Sequence, residues 1–345
     1  MMKFRVLIAM LAMTLIAAAC GGDADVTATV TGDDTADESA ESQEAVDEEA
    51  VDQEAMEDDE PEAAEADAGG DAGPDANAAA AIEEGEAAEQ RIVSLSPTST
   101  EMLFAVGAGD LVVAVDDFSN FPPEAPTTDL SGFTPNVEAI AAFEPTVVYS
   151  SGPIEGLDAI GIENIVLPAA VTIDDVYAQI EQVGAETGNV AQAAELVLQM
   201  QTDIDAILAS LPEREAPLTY YHELDTTFFS ATSSTFIGQV YSLLGLENIA
   251  DPADPDGESF GFPQLSEEFI IEADPDIIFL ADTIFEGQTA DTVSARPGWD
   301  QLSAVSNGNV IEMNDDIASR WGPRIVDFLE VAGTAVAETE AVPAG

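Results

Sequence analysis

Three kinds of hydrophobic pattern follow one another along the chain. Val6 to Ala19 is a continuous apolar run, residues 21–90 are built of Ala, Asp, Glu, Gly and Thr without one aromatic side chain, and from Arg91 short apolar runs alternate with helical spacing. In this last part Arg91-Ile92-Val93-Ser94-Leu95 reads as a strand, and Ser96-Pro97-Thr98-Ser99-Thr100-Glu101 as a turn opening a helix. Thr98 with Glu101 fits a capping box, and Met102, Leu103 and Val106 give the helix an apolar face. Further strands are expected at Leu111–Val115, Thr146–Tyr149 and Ile165–Leu167, with helical stretches near 136–144 and 155–161. A second series starts at Pro217, with strands Leu218–Tyr221, Asp276–Leu280 and Asn309–Glu312 and helices near 234–245, 266–273 and 323–336. Such alternation predicts parallel sheets covered by helices, in two α/β lobes. Between them, Val190, Ala194, Val197, Leu198, Ile204, Ile207, Leu208 and Leu211 keep helical spacing with no Gly or Pro, and Pro212 ends the pattern. At 1.5 Å per residue that helix would run about 35 Å, across both lobes.

Charge sharpens the division. The chain holds 69 Asp and Glu against 7 Lys and Arg, a net −62, and residues 21–90 carry 26 of those acids and no base. A segment so poor in apolar surface cannot offset its ordering entropy and is expected to be a disordered acidic tether, reaching roughly 45–50 Å. The body retains only five arginines, which excludes nucleic-acid binding through phosphate neutralisation. One Cys and one His exclude disulfide frameworks and Cys- or His-rich metal sites. Lys3 and Arg5 precede the apolar run, which falls short of the about 20 residues a membrane span needs. It has the length of a signal-peptide core, and Ala17-Ala18-Ala19-Cys20-Gly21-Gly22 resembles a bacterial lipobox. The expected organisation is a lipoprotein signal at 1–19, a lipidated Cys20 and tether over 20–90, an N-terminal lobe over 91–188, the backbone helix over 189–212 and a C-terminal lobe over 213–345. The fold class is α/β, two parallel-sheet lobes joined by one long helix.

An internal repeat supports two lobes. Asn136-Val137-Glu138-Ala139-Ile140 precedes Glu144-Pro145, and Ser266-Glu267-Glu268-Phe269-Ile270 precedes Asp274-Pro275; a strand follows in each. Glu138 and Glu268 sit in first helical turns, where offsetting the helix dipole is worth about 0.3–1 kcal/mol. Three catalytic-looking motifs fail on context. Gly257-Glu258-Ser259-Phe260-Gly261 matches a nucleophile elbow but lacks a strand before it and a helix after it. Asp254 and Asp256 hint at a calcium loop whose first and twelfth positions are Pro252 and Pro263. Gly107-Ala108-Gly109 follows a helix and reads as its stop rather than as a dinucleotide loop. His222 ends a strand with no second ligand nearby and reads as a hydrogen-bonded cleft or core residue.

What the loops share is aromatic side chains at strand ends. These are Phe118, Phe121, Phe133 and Tyr149 in the first lobe, and Phe228, Phe229, Phe260, Phe262 and Trp321 in the second. Open parallel sheets bind ligands outside the carboxyl ends of their strands, and apolar walls with a few polar groups suit a large ligand. Over 91–336 the chain resembles the helical-backbone class of substrate-binding proteins for ABC importers, which includes vitamin B12, ferric-siderophore and haem binders. The segments carrying the resemblance are 91–101, Phe118-Ser119-Asn120-Phe121-Pro122, the Glu138…Pro145 and Glu268…Pro275 pair and Gly245-Leu246-Glu247-Asn248-Ile249. Arg296-Pro297-Gly298-Trp299, Ala304-Val305 with Gly308 and Val310, and Ser319-Arg320-Trp321-Gly322-Pro323-Arg324 complete the set. The resemblance is strongest to cobalamin binders, whose cleft aromatics map to Phe118, Phe133, Phe229 and Phe262. It implies a lipid-anchored binder for cobalamin or a related corrinoid, with a ferric siderophore or haem as the alternative. It also implies that Glu138 and Glu268 dock onto a permease dimer served by its ATPase. Ser96, Thr98, Tyr149, His222, Arg320 and Trp321 complete the candidate ligand contacts, Arg320 because its planar fork suits a carboxylate or amide. No catalytic residue, metal or cofactor is expected, and the binder is expected to be a monomer at the outer face of the cell membrane. An envelope enzyme is the rival class, and no nucleophile or metal constellation supports it.

Overall fold

The computed structural model describes residues 90–339. The signal at 1–19, Cys20 and nearly all of the tether lie outside the described residues. The first sheet contains β1 (Ile92–Ser94), β2 (Val112–Asp116), β3 (Thr127–Leu130), β4 (Val147–Ser150) and β5 (Glu163–Val166). All pairings are parallel and the order is β3-β2-β1-β4-β5. The second sheet contains β6 (Thr219–Glu223), β7 (Glu247–Asn248), β8 (Ile277–Leu280) and β9 (Val310–Glu312), also parallel, in the order β7-β6-β8-β9.

Alternation along the strands divides the apolar side chains between two faces. In the first sheet Ile92, Val147 and Tyr149 point into a central core, whereas Val93 and Val148 point into an outer one with Ile140 and Leu157. In the second, Tyr220, Ile277 and Phe279 join the same central core, and Tyr221, Ile278 and Leu280 form an outer core around Trp299. The two sheets thus share one continuous apolar interior. It is completed by α1 (Pro97–Ala105), α3 (Ile173–Glu186), α4 (Val190–Ser210), α5 (Phe236–Leu243) and α10 (Ile325–Glu338). The long helix α4 packs against α3 and α10, which ties the lobes along a rigid spine.

The repeat is an identical local device in both lobes. Asn136 and Ser266 cap α2 (Val137–Ala141) and α6 (Glu267–Ala273) by accepting from the third residue onward at 3.0 and 3.1 Å. Ile140 and Ile270 are buried at matching positions, and Glu144 and Asp274 take left-handed backbone before Pro145 and Pro275. Proline then leads each chain into a central strand.

Several local expectations are corrected. Helix α1 starts at Pro97 with Ser96 as its cap, so Thr98 and Glu101 form no capping box. The stretch near 155–161 forms only a short 3-10 turn over Asp158–Ile160, ended by Gly161 in the left-handed region. Strand β3, helix α3 with its Thr172–Asp175 capping box, and the short helices α7 (Ala290–Ser294), α8 (Ser303–Ser306) and α9 (Asp315–Ser319) were not foreseen.

Candidate functional site

In the first lobe the strand ends carry a buried chain of hydroxyls leading to one carboxyl. Thr100 Oγ1, on α1, lies 2.8 Å from Ser94 Oγ and 2.9 Å from Ser119 Oγ, and the Ser119 hydroxyl donates to Asp116. Burial pushes the Asp116 carboxyl up to about 6, against the pull of the Ser119 hydrogen bond. Above it, a Cβ on Gly132 would stand 2.3 Å from the Leu95 carbonyl oxygen, so only glycine lets this loop approach the sheet. That approach sets Phe133 edge-on to Phe118, with ring centroids 5.6 Å apart. Phe133 remains 46% exposed, an aromatic edge open to a ligand.

The second lobe places full charges at the equivalent ends. Arg296 holds Glu223 in a bidentate pair, Nη1 to Oε2 at 2.6 Å and Nη2 to Oε1 at 2.5 Å, and stacks 4.5 Å over Trp299. Asp282, at the end of neighbouring β8, is 0% exposed and faces the Glu223 carboxylate, to which its carboxyl hydrogen-bonds. Burial and then the Glu223 charge push its carboxyl up to about 9, so it is protonated at neutral pH. In the loops above, Phe228 and Phe260 hold left-handed backbone at φ 68° and 54°, which bulky side chains avoid and which gathers at functional surfaces.

The lobes meet through a second set of ions. Glu101, buried on α1, accepts from Arg320 Nη1 at 2.8 Å and from Arg324 through Nε at 2.9 Å and Nη2 at 2.5 Å. Arg320 also donates to Asn120 Oδ1, the Phe118 carbonyl and Asp316, while Asn120 Nδ2 donates to Asp316 across the same gap at 2.8 Å. Beside this cluster a groove of about 230 Å³ is lined by Glu101, Phe104, Phe121, Glu124, Pro323 and Arg324. Arg324 lies 4.2 Å over the Phe121 ring.

The expected ligand contacts separate into two groups. Phe118 and Phe133 touch, and Phe229 and Phe262 belong to loops joined by a bridge between Phe229 and Gln264. Trp321 is half-buried with its indole N–H unpartnered. Ser96 and Thr98 are buried in the first turn of α1, Ser96 as its cap. Tyr149, by contrast, is 1% exposed within the central core, and His222 is 0% exposed with Nδ1 2.9 Å from the Tyr241 hydroxyl. Burial lowers the imidazole to about 3, leaving it neutral. Both strand-end positions face inward on the pleat, so neither lines an open cleft. Arg320 spends its donors on the protein itself. Glu101, Arg324, Asp282 and the Glu223 pairing were missed as site residues, because their partners lie far away in sequence. Glu138 and Glu268 are exposed in the first turns of α2 and α6. Asp254 binds the amides of Ser259 and Gly261 in its own loop, at 2.9 and 2.8 Å.

Residues 92–317 match the family described as periplasmic binding protein. A cobalamin-binding protein of Halobacterium salinarum is 32% identical over 252 residues, covering 69% of this chain and 67% of that protein. The uncharacterised ABC transporter substrate-binding lipoprotein YvrC of Bacillus subtilis is 28% identical over 254 residues, 70% of this chain and 78% of YvrC. Among solved structures, the periplasmic heme binding protein HutB of Vibrio cholerae superimposes with TM-score 0.63 at 26% identity, covering 71% of this chain and 98% of HutB.

Proposed function

This chain belongs to the periplasmic binding protein family, and from that premise we propose that it captures cobalamin or a related corrinoid between its lobes and delivers it to an ABC importer. The observation that carries the ligand reading is electrostatic. Each of the three arginines near the strand ends, Arg296, Arg320 and Arg324, is already paired with a buried carboxylate. A corrinoid is large, amide-decorated and nearly neutral, so exposed phenylalanine edges and hydrogen bonds hold it without a free cation. The cobalamin-binding relative supports the same choice. A ferric siderophore or haem is the second reading, favoured by the likeness to HutB.

Delivery requires a partner and an anchor. Glu138 and Glu268 offer one exposed carboxylate per lobe on matching helix turns, a geometry suited to arginines on the two halves of a permease dimer. Cys20 is the proposed lipidation site, after removal of residues 1–19, and the acidic segment to residue 90 is the tether between membrane and body. The lobes then run over 91–188 and 213–345, about the helix at 189–212. No helix among the described residues is long and apolar enough to cross a membrane. Cys20→Ser is expected to move the protein from the membrane fraction to the soluble one.

Calorimetric titration with cyanocobalamin, haemin and a ferric hydroxamate tests the ligand. Tight binding of cyanocobalamin is expected. Tight binding of haemin or the hydroxamate with none of cobalamin reverses the order.

A further inference from the structure

Glu101 stands out because it is the buried acid on which two arginines of the other lobe converge. Its carboxylate is 3% exposed and receives three hydrogen bonds from Arg320 and Arg324. Both guanidinium charges are thereby matched by a buried carboxylate. Arg320 fills both terminal nitrogens with Glu101, Asn120, the Phe118 carbonyl and Asp316, and Arg324 commits Nε and Nη2 to Glu101 alone. Arg324 keeps Nη1 uncommitted, but the buried Glu101 already neutralises its charge, so a ligand carboxylate would meet no net cation at either guanidinium unless Glu101 were displaced. That would leave a buried charge without its partner, which strongly disfavours the exchange. The surroundings offer no compensation, since Glu124 shares the groove and Asp116 lies within electrostatic reach of Arg320.

We propose that Glu101 is a specificity-determining residue, which by sequestering Arg320 and Arg324 makes the cleft reject carboxylate-bearing ligands. The inference rests on the reading that a large, nearly neutral ligand is taken up between the lobes. It assigns the choice to a residue that touches the lobe contact rather than the ligand. Replacing Glu101 leaves Arg320 with Asp316 and takes from Arg324 its one contacting carboxylate among the described residues, with Asp316 and Asp327 left as more distant electrostatic neighbours. The groove at the lobe contact then gains a half-buried cation with no contacting carboxylate beside the Phe121 ring.

Glu101→Gln in the full chain, titrated with haemin and with cyanocobalamin, tests this. Haemin carries two propionates, and its affinity is expected to rise roughly tenfold or more, the scale of one charge-assisted hydrogen bond. Arg324→Met keeps Arg320 paired with Glu101 and is expected to gain nothing. Should Glu101→Gln fail to fold, Glu101→Met with Arg324→Met removes one charge of each sign and partly frees Arg320. Haemin affinity should again rise. An unchanged haemin affinity in a folded Glu101 variant, or haemin binding by the parent chain as tight as by the variant, overturns the proposal. Failure of cyanocobalamin to bind either chain counts against the corrinoid reading alone, because the filter is read from the haemin arm.

Discussion

The two lobes share a scaffold and differ in what they place on it. Each uses a capped two-turn helix, a buried isoleucine, a left-handed acidic residue and a proline to launch a central strand. At the carboxyl ends of those sheets the likeness stops. The first lobe buries Ser94, Thr100 and Ser119 in a chain of hydroxyls that ends on one carboxyl, with no base paired to it among the described residues. The second buries Glu223 and a protonated Asp282 beside a half-buried Arg296, which pairs with Glu223. A repeated frame therefore brings equivalent strand ends to each lobe, and the residues beyond them differ in chemistry. Such division is what fold physics permits, since the frame is set by packing and the loops by function.

The largest test of the shared frame is functional. Glu138→Arg with Glu268→Arg should abolish transport by the cognate importer while ligand binding persists, because cation would meet cation at both docking points. Normal transport by the double variant would reduce the two glutamates to helix-dipole partners. The contrast between strand ends is tested by stability. Arg296→Met leaves Glu223 buried beside Asp282 and should cost about 3–5 kcal/mol in chemical denaturation. Thr100→Val, which breaks the hydroxyl chain of the first lobe, should cost about 1–3 kcal/mol. Equal losses would remove the distinction between the lobes.

How much of this was legible depended on the range of the interaction. Helix α4 and the central strands were readable because helical spacing and short apolar runs are local signals. Strand β3 was not, because Thr127-Thr128-Asp129-Leu130 is a largely exposed edge with one buried side chain. Tyr149 and His222 were located at strand ends, yet position along a strand does not reveal which face of the pleat a side chain takes. The Glu101 cluster was invisible for a different reason. Its partners lie 219 and 223 residues away, and only the packing of one lobe on the other brings them together.

Proton linkage separates the lobes more finely. Asp116 and Asp282 both hold their proton more tightly when folded than at the ordinary 3.8. Each therefore contributes stability that is complete below that value and lost as pH rises, through about 6 for Asp116 and through about 9 for Asp282. Relative to the parent, Asp116→Asn should flatten the stability profile below about pH 6, and Asp282→Asn the longer span up to about pH 9. Parallel profiles for parent and both variants would contradict the burial assigned to these carboxyls.

The central claim is that the space between the lobes takes a large, nearly neutral corrinoid. Mass spectrometry of whatever small molecule co-purifies with the full chain tests it most directly. A corrinoid released in stoichiometric amount is the result expected here. Haem or an iron–siderophore complex in its place, with no corrinoid, would contradict it.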